Sequence, residues 1–145
     1  IILEKAGFRQ SVEKIAAIFN ASGKVSVELE ILGFEKIQPE MFEKYSVLYG
    51  ILYELINNIV KHAQATHALV QLIEHDDSVV MIVEDNGKGL ERDDAEITVT
   101  HGLEGIKSKI HYLNGILAFD NAEGHGLIVT IEIPKKTDDK NYFSR

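Results

Sequence analysis

Residues 38–62 combine two stripes on one helix, and no other stretch restricts the fold as tightly. Gln38-Pro39-Glu40 opens it, because proline is tolerated where its missing N–H would be unpaired anyway and an early glutamate suits the helix dipole. Met41, Tyr45, Leu48, Leu52, Leu55 and Ile59 then trace a broad apolar stripe as far as about His62. Glu54, Asn58 and Lys61 fall at i, i+4 and i+7, within about 60° of one another and on a different side. Such a helix has one face to bury and another that presents an acid, an amide and a cation together. Glu54 and Asn58 alone read equally well as a solvated stripe, and Lys61 at the same azimuth favours a ligand. On the ligand reading the Asn58 oxygen binds Mg²⁺, a hard cation that prefers oxygen. Glu54 orients or deprotonates an attacking group, and Lys61 meets phosphate oxygens as a point charge.

The flanking patterns predict what the apolar stripe packs against. Residues 8–20 place Val12, Ile15, Ala16 and Phe19 at helical spacing, and Ser22-Gly23 closes that helix. Over 24–32, Val25, Val27, Leu29 and Ile31 alternate with Lys24, Ser26, Glu28 and Glu30, the period of a strand with one wet face. Strands over 68–74 and 79–84 form a hairpin turned by His75-Asp76-Asp77-Ser78. Residues 86–101 hold no period and have the length of a functional lid. A helix over 102–113 stops at Asn114-Gly115, and strands over 116–120 and 127–133 form a final hairpin before Pro134. We find no internal repeat.

Asp85-x-Gly87-x-Gly89, placed directly after a strand, reads either as an ordinary turn or as a base-binding corner. In the second case the glycines let backbone pass close to a planar base. The carboxylate accepts a hydrogen bond from an exocyclic amine, which adenine offers and guanine replaces with a carbonyl. Gly102-Leu103-Glu104-Gly105 begins a helix, where free N–H groups attract phosphate, although helices often begin with glycine for no such reason. Lys107 and Lys109 either reinforce anion binding or are simply solvated. None of the six histidines has the spacing of a metal site, and on the residues alone they read as structural or exposed.

A chain of 145 residues, 45% of them hydrophobic, supports one domain with a real core, here 1–134 followed by a polar tail at 135–145. The net charge of −8 argues against nucleic acid as a partner, since such domains gather a basic face. A single anionic ligand remains compatible, because Mg²⁺, helix N-termini and one or two lysines supply local positive potential. The absence of cysteine removes disulfides and thiolate chemistry and fits a reducing, cytoplasmic setting. No apolar run approaches the roughly 20 residues that span a bilayer, so direct membrane contact by this segment is not expected. There is no G-x-x-x-x-G-K-[ST] loop and no G-x-S-x-G elbow.

Taken in order, the Glu/Asn helix, the hairpin ending in Asp-x-Gly-x-Gly, the lid, the glycine-initiated helix and the last hairpin resemble the GHKL ATPases. The wording of Glu54 to Ala65, with Gly102-Leu103-x-Gly105-Ile106, is similar to the NarL/DesK-type branch of two-component sensor histidine kinases. The resemblance covers about residues 8–134. It implies an α/β (α+β) two-layer sandwich of the Bergerat type, with a mixed, largely antiparallel sheet and helices on one face. It implies ATP and Mg²⁺ as cofactors, with Glu54 matching the catalytic acid and Asn58 the metal ligand. ATP would be contacted by Asn58, Lys61, His62, Asp85, Gly87, Gly89, Gly102, Leu103, Gly105 and Thr130. One departure is Leu127, where the family commonly places a threonine near adenine, which gives Thr130, further along the same strand, as a substitute.

The resemblance also implies transfer of the γ-phosphoryl group to a histidine on a dimerisation domain, with a response regulator served indirectly. No histidine precedes His62, so the chain is expected to be the catalytic domain alone, the cytoplasmic part of a membrane-anchored sensor kinase. Two alternatives share the site: a nucleotide-sensing interaction module without transferase activity, and a serine kinase of the anti-sigma type.

Overall fold

The computed structural model describes residues 2–62, 64–89, 103–122 and 126–136, with the backbone alone at 2–6 and 62. Five strands, β1 (Ser26–Leu32), β2 (His67–Glu74), β3 (Ser78–Asp85), β4 (Ile116–Asn121) and β5 (Leu127–Pro134), form one sheet in the order β1-β2-β3-β5-β4. β1 runs parallel to β2 and every other pairing is antiparallel. Strand parity assigns the faces. Ala68, Val70 and Leu72 of β2, Val79, Met81 and Val83 of β3, and Val129, Ile131 and Ile133 of β5 are buried on one side. Their alternates, such as Gln71, Ile82 and Thr130, lie in register on the other side and are half-exposed. β1 has the expected wet face, with Ser26, Glu28 and Glu30 exposed and Val27 buried.

Helices α1 (Ile2–Ser22), α2 (Phe42–His62) and α3 (Glu104–Tyr112) supply the other half of a single core, and one 3₁₀ turn, Pro39–Met41, leads into α2. α1 is broken at Gly7, whose φ of 77° is not helical, so its regular part begins at Phe8 as the periodicity indicates. Phe8, Val12, Ile15 and Phe19 are buried, as are Tyr45, Leu48, Leu52, Leu55 and Ile59 of α2. α3 stops as predicted: Asn114 adopts φ of 59° and the Gly115 N–H returns to the Ile110 carbonyl at 2.8 Å. Among the described residues, no helix is long and apolar enough to cross a membrane.

At the end of the sheet where β2 finishes, one carboxylate ties four segments together. Glu74 accepts from the Phe34 N–H at 2.9 Å and from the Tyr45 hydroxyl at 3.0 Å, and Lys135 lies 3.2 Å away. Phe34 holds φ of 65°, a costly conformation for a bulky residue, and the Glu74 bond and burial of its ring against Phe8 and Tyr45 hold it there. Burial pushes the Glu74 carboxyl up, but the bonds from Phe34, Lys135 and Tyr45 and the Lys135 charge outweigh it and hold the group below its ordinary value of 4.5. Burial raises the Tyr45 hydroxyl above the usual phenol range, with the Glu74 charge and hydrogen bond adding to it.

A carboxyl depressed in the folded state stabilises fully above its unfolded value, and that contribution disappears as pH falls through the folded value. Thermal midpoints should therefore decline as pH drops below 4.5. Glu74→Gln should be less stable at neutral pH by about 1–2 kcal/mol and show a flatter midpoint-versus-pH curve in the acid range. An equally steep acid decline in the variant would place the proton uptake elsewhere.

Candidate functional site

At the opposite end of the sheet, β3 finishes at Asp85 beside the start of β5, with Glu84 paired to Ile128 and Val83 to Val129. A Cβ on Gly126 would overlap the Asp85 carbonyl oxygen, so the β5 entry can press against the β3 exit only as glycine. Gly89, at φ of 74°, meets the same corner: a Cβ there would lie 2.6 Å from the Gly126 carbonyl oxygen. The C-terminal half of α2 crosses above. Together these segments enclose a pocket walled by Leu55, Asn58 and Ile59 of α2, Val83 and Asp85 of β3, and Lys88 and Gly89 of the loop. Leu103, at the start of α3, and Leu127 and Val129 of β5 complete it.

The polar groups in this apolar enclosure are few. Asp85 is buried, and its Oδ1 accepts from the Gly87 N–H at 2.8 Å, the two-residue side-chain turn that Asp-x-Gly favours. Asn58 lines the wall opposite. Its Nδ2 is buried and has no hydrogen-bond partner among the described residues. A buried amide left unpaired costs about 1–3 kcal/mol, so the site is suited to a ligand that satisfies it. Among the described residues no cluster of three histidine or carboxylate groups can hold a metal. A cation here would be held by the Asn58 amide oxygen together with ligand oxygens, as Mg²⁺ commonly is with substrate phosphates.

Glu54 lies one turn before Asn58 and outside the pocket wall. Its side chain is 38% exposed and Lys109 Nζ of α3 lies 3.7 Å from its Oε2. This pair links the two helices that flank the pocket, and at such exposure it contributes no more than about 1 kcal/mol.

The structure brings Asn58, Asp85, Gly89 and Leu103 together, sets Gly87 behind Asp85 as its hydrogen-bond donor, and leaves Glu54 outside the pocket wall beside Lys109. Lys61 is exposed and does not line the pocket. Gly105 sits in the first turn of α3, where a Cβ would meet nothing. Thr130 is not brought in: it pairs with Ile82 and Ala118 on the face turned away from the helices, whereas Leu127 and Val129 face the pocket. Gly102 and the His62 side chain lie outside the described residues, as does most of the segment read as a lid. Sequence reasoning passed over Lys88, whose signal was a cation set between two glycines.

A family profile described as histidine kinase-, DNA gyrase B-, and HSP90-like ATPase matches residues 43–137. Over 87 residues, 59% of this chain and 11% of the relative, the chain is 39% identical to the sensor histidine kinase ComP of Bacillus subtilis. It is 30% identical over 140 residues to the sensor histidine kinase NarS of Mycobacterium tuberculosis, covering 93% of this chain and 31% of the relative. A histidine-protein kinase/phosphatase, DegS of Brevibacillus brevis, is 26% identical over 94% of this chain and 35% of its own length. The chain thus spans about a third of these relatives or less. Among solved structures, the histidine kinase AdeS of Acinetobacter baumannii superposes with a TM-score of 0.72 at 21% identity, over 90% of this chain and 66% of that one. The catalytic domain of the histidine kinase ThkA gives 0.69 at 15% identity, over 90% and 94%. Both likenesses establish the same α/β fold.

Proposed function

The chain belongs to the histidine kinase-, DNA gyrase B- and HSP90-like ATPase family, and from that premise we propose that it is the catalytic domain of a sensor histidine kinase. It binds Mg-ATP between α2 and the sheet and delivers the γ-phosphoryl group to a histidine on a dimerisation domain of the same kinase. The observation that carries this reading is the buried Asn58 Nδ2, without a partner among the described residues, in the same apolar pocket as the buried Asp85.

In this arrangement Asp85 accepts a hydrogen bond from the exocyclic amine of adenine, while Ile59, Leu127 and Val129 cover the rings. Gly89 lets the backbone approach the base. Asn58 orders the phosphates, and Lys88, Lys61 and the start of α3 supply positive potential near them. The Asn58 oxygen, together with the nucleotide, would hold Mg²⁺, which would neutralise phosphate charge when bound. Glu54, outside the pocket wall, accepts the proton of the attacking imidazole or orients it. Positioning and charge carry most of such a transfer. The working site is cytoplasmic, on a kinase that is membrane-anchored elsewhere in its length, and a response regulator takes the phosphate onward.

Calorimetry tests the binding half. Mg-ATP should bind with 1:1 stoichiometry, and GTP at least tenfold more weakly, since its carbonyl faces the Asp85 carboxylate. Asn58→Ala should weaken Mg-ATP about tenfold or more, the loss expected for one charge-assisted partner. Equal affinity for ATP and GTP would refute the base assignment.

A further inference from the structure

Asn86 sits between the two residues that shape the base corner, and its side chain does not face the pocket. Its Oδ1 accepts from the Thr66 N–H and the His67 N–H, both at 2.9 Å. Its Nδ2 donates to Thr66 Oγ1 at 3.0 Å and approaches His67 Nδ1 at 3.4 Å. Its own N–H donates to the His67 carbonyl at 3.2 Å. Both acceptor positions of the Asn86 amide oxygen and one of its two N–H donors are thereby engaged, and two backbone donors on one atom fix which end is oxygen. The proton order is self-consistent: Asn86 donates to Thr66 Oγ1, and Thr66 donates to His67 Nδ1 at 2.8 Å when the ring proton is on Nε2. The anchor is itself held, since the Thr66 carbonyl accepts from the Ser26 N–H of β1 at 2.8 Å.

Asn86, Thr66 and His67 are all exposed, and bonds made in water's presence add little net stability. Their effect is geometric. Asp85 precedes Asn86 and Gly87 follows it, so a clamp on Asn86 fixes the carboxylate, the N–H that orients it and the run into Gly89 as one body.

We propose that Asn86 is a positioning residue for the nucleotide site, clamping the Asp85–Gly89 corner to the segment that joins α2 to β2 before any ligand arrives. This rests on the functional reading above for its consequence, but the clamp is a property of the ligand-free chain. Asn86→Ala should weaken Mg-ATP about tenfold while turnover at saturating ATP stays within about twofold, because Asn86 touches neither base nor phosphate. Asn86→Asp retains the acceptor for both backbone N–H groups and should recover most of the affinity. Thr66→Val, which removes only the Oγ1 link, should cost about threefold.

Hydrogen exchange on the ligand-free proteins supplies the independent readout. Amides 66–67 and 85–89 should exchange faster in Asn86→Ala than in the wild type, with Asn86→Asp restored. Unchanged exchange in Asn86→Ala overturns the clamp, as does an affinity loss that Asn86→Asp fails to recover. If wild-type protein binds no Mg-ATP, the functional reading fails while exchange still decides the role of Asn86. Should Asn86→Ala not fold, Thr66→Val and Asn86→Asp decide by the same two measurements.

Discussion

Gly126→Ala is expected to weaken Mg-ATP binding at least tenfold and to lower the thermal midpoint by about 5–10 °C, the shift that about 2–3 kcal/mol produces in a domain of this size. The added methyl would overlap the Asp85 carbonyl oxygen, and φ of 113° is a conformation side chains rarely adopt. Relief requires β5 to retreat from β3 at the very place where Asp85 lines the pocket, so fold and affinity should fall together. Gly50→Ala is the matched control. Gly50 lies within α2 with nothing within 4 Å of an added Cβ. There the same methyl should stabilise by about 0.5–1 kcal/mol, because glycine is a poor helix former. Calorimetric melts of the two variants should move in opposite directions, and a Gly126→Ala melt like the wild type would mean the two strands do not meet this closely.

Glu54→Ala should leave Mg-ATP affinity within about threefold of wild type and reduce phosphoryl transfer by about 10²–10⁴-fold, the range for loss of a general base. The asymmetry follows from position: Glu54 pairs with Lys109 outside the wall that Asn58 and Asp85 help to form. Asn58→Ala should show the reverse emphasis, with affinity lost first. Steady-state kinetics separate the two, since a change confined to kcat marks a group that acts in the transition state and a rise in KM marks lost binding. If both variants lose affinity equally, the division of labour along α2 is incorrect.

Much of the architecture was legible because its periods are strong. The apolar stripe of α2, the alternation of β1 and the Asn114-Gly115 stop each follow from local chemistry, and each lies where that chemistry places it. The parallel pairing of β1 with β2 was not readable from the strands, since a period of two is the same in either direction. The mixed sheet came only from the family resemblance. In the structure the direction is fixed by α2, which carries the chain back across the sheet between them.

Within the site, Asn58, Asp85 and Gly89 were legible because motif spacing keeps them near one another. Thr130 shows how one residue of parity decides a role: it was offered in place of the family's threonine, yet Val129, Ile131 and Ile133 take the buried face and turn Thr130 away. Leu127 keeps the pocket side, so the pocket wall is apolar at that position. Glu74 meets partners up to 61 positions away, the farthest being Lys135, and no local pattern announces the junction. The grip of Asn86 on Thr66 likewise spans 20 positions. Asp-Asn-Gly declared a turn, and only the fold revealed what the turn is fastened to.

The central claim is that this pocket positions ATP for transfer to a histidine. It is tested by incubating the chain with Mg²⁺, γ-labelled ATP and a separately produced dimerisation domain from the same kinase, then measuring acid stability of the label. The account predicts label on the added domain that is lost in acid and kept in base, absent when its acceptor histidine is replaced and reduced at least a hundredfold with Glu54→Ala. Tight Mg-ATP binding with no label transferred, or acid-stable label on serine, would contradict it.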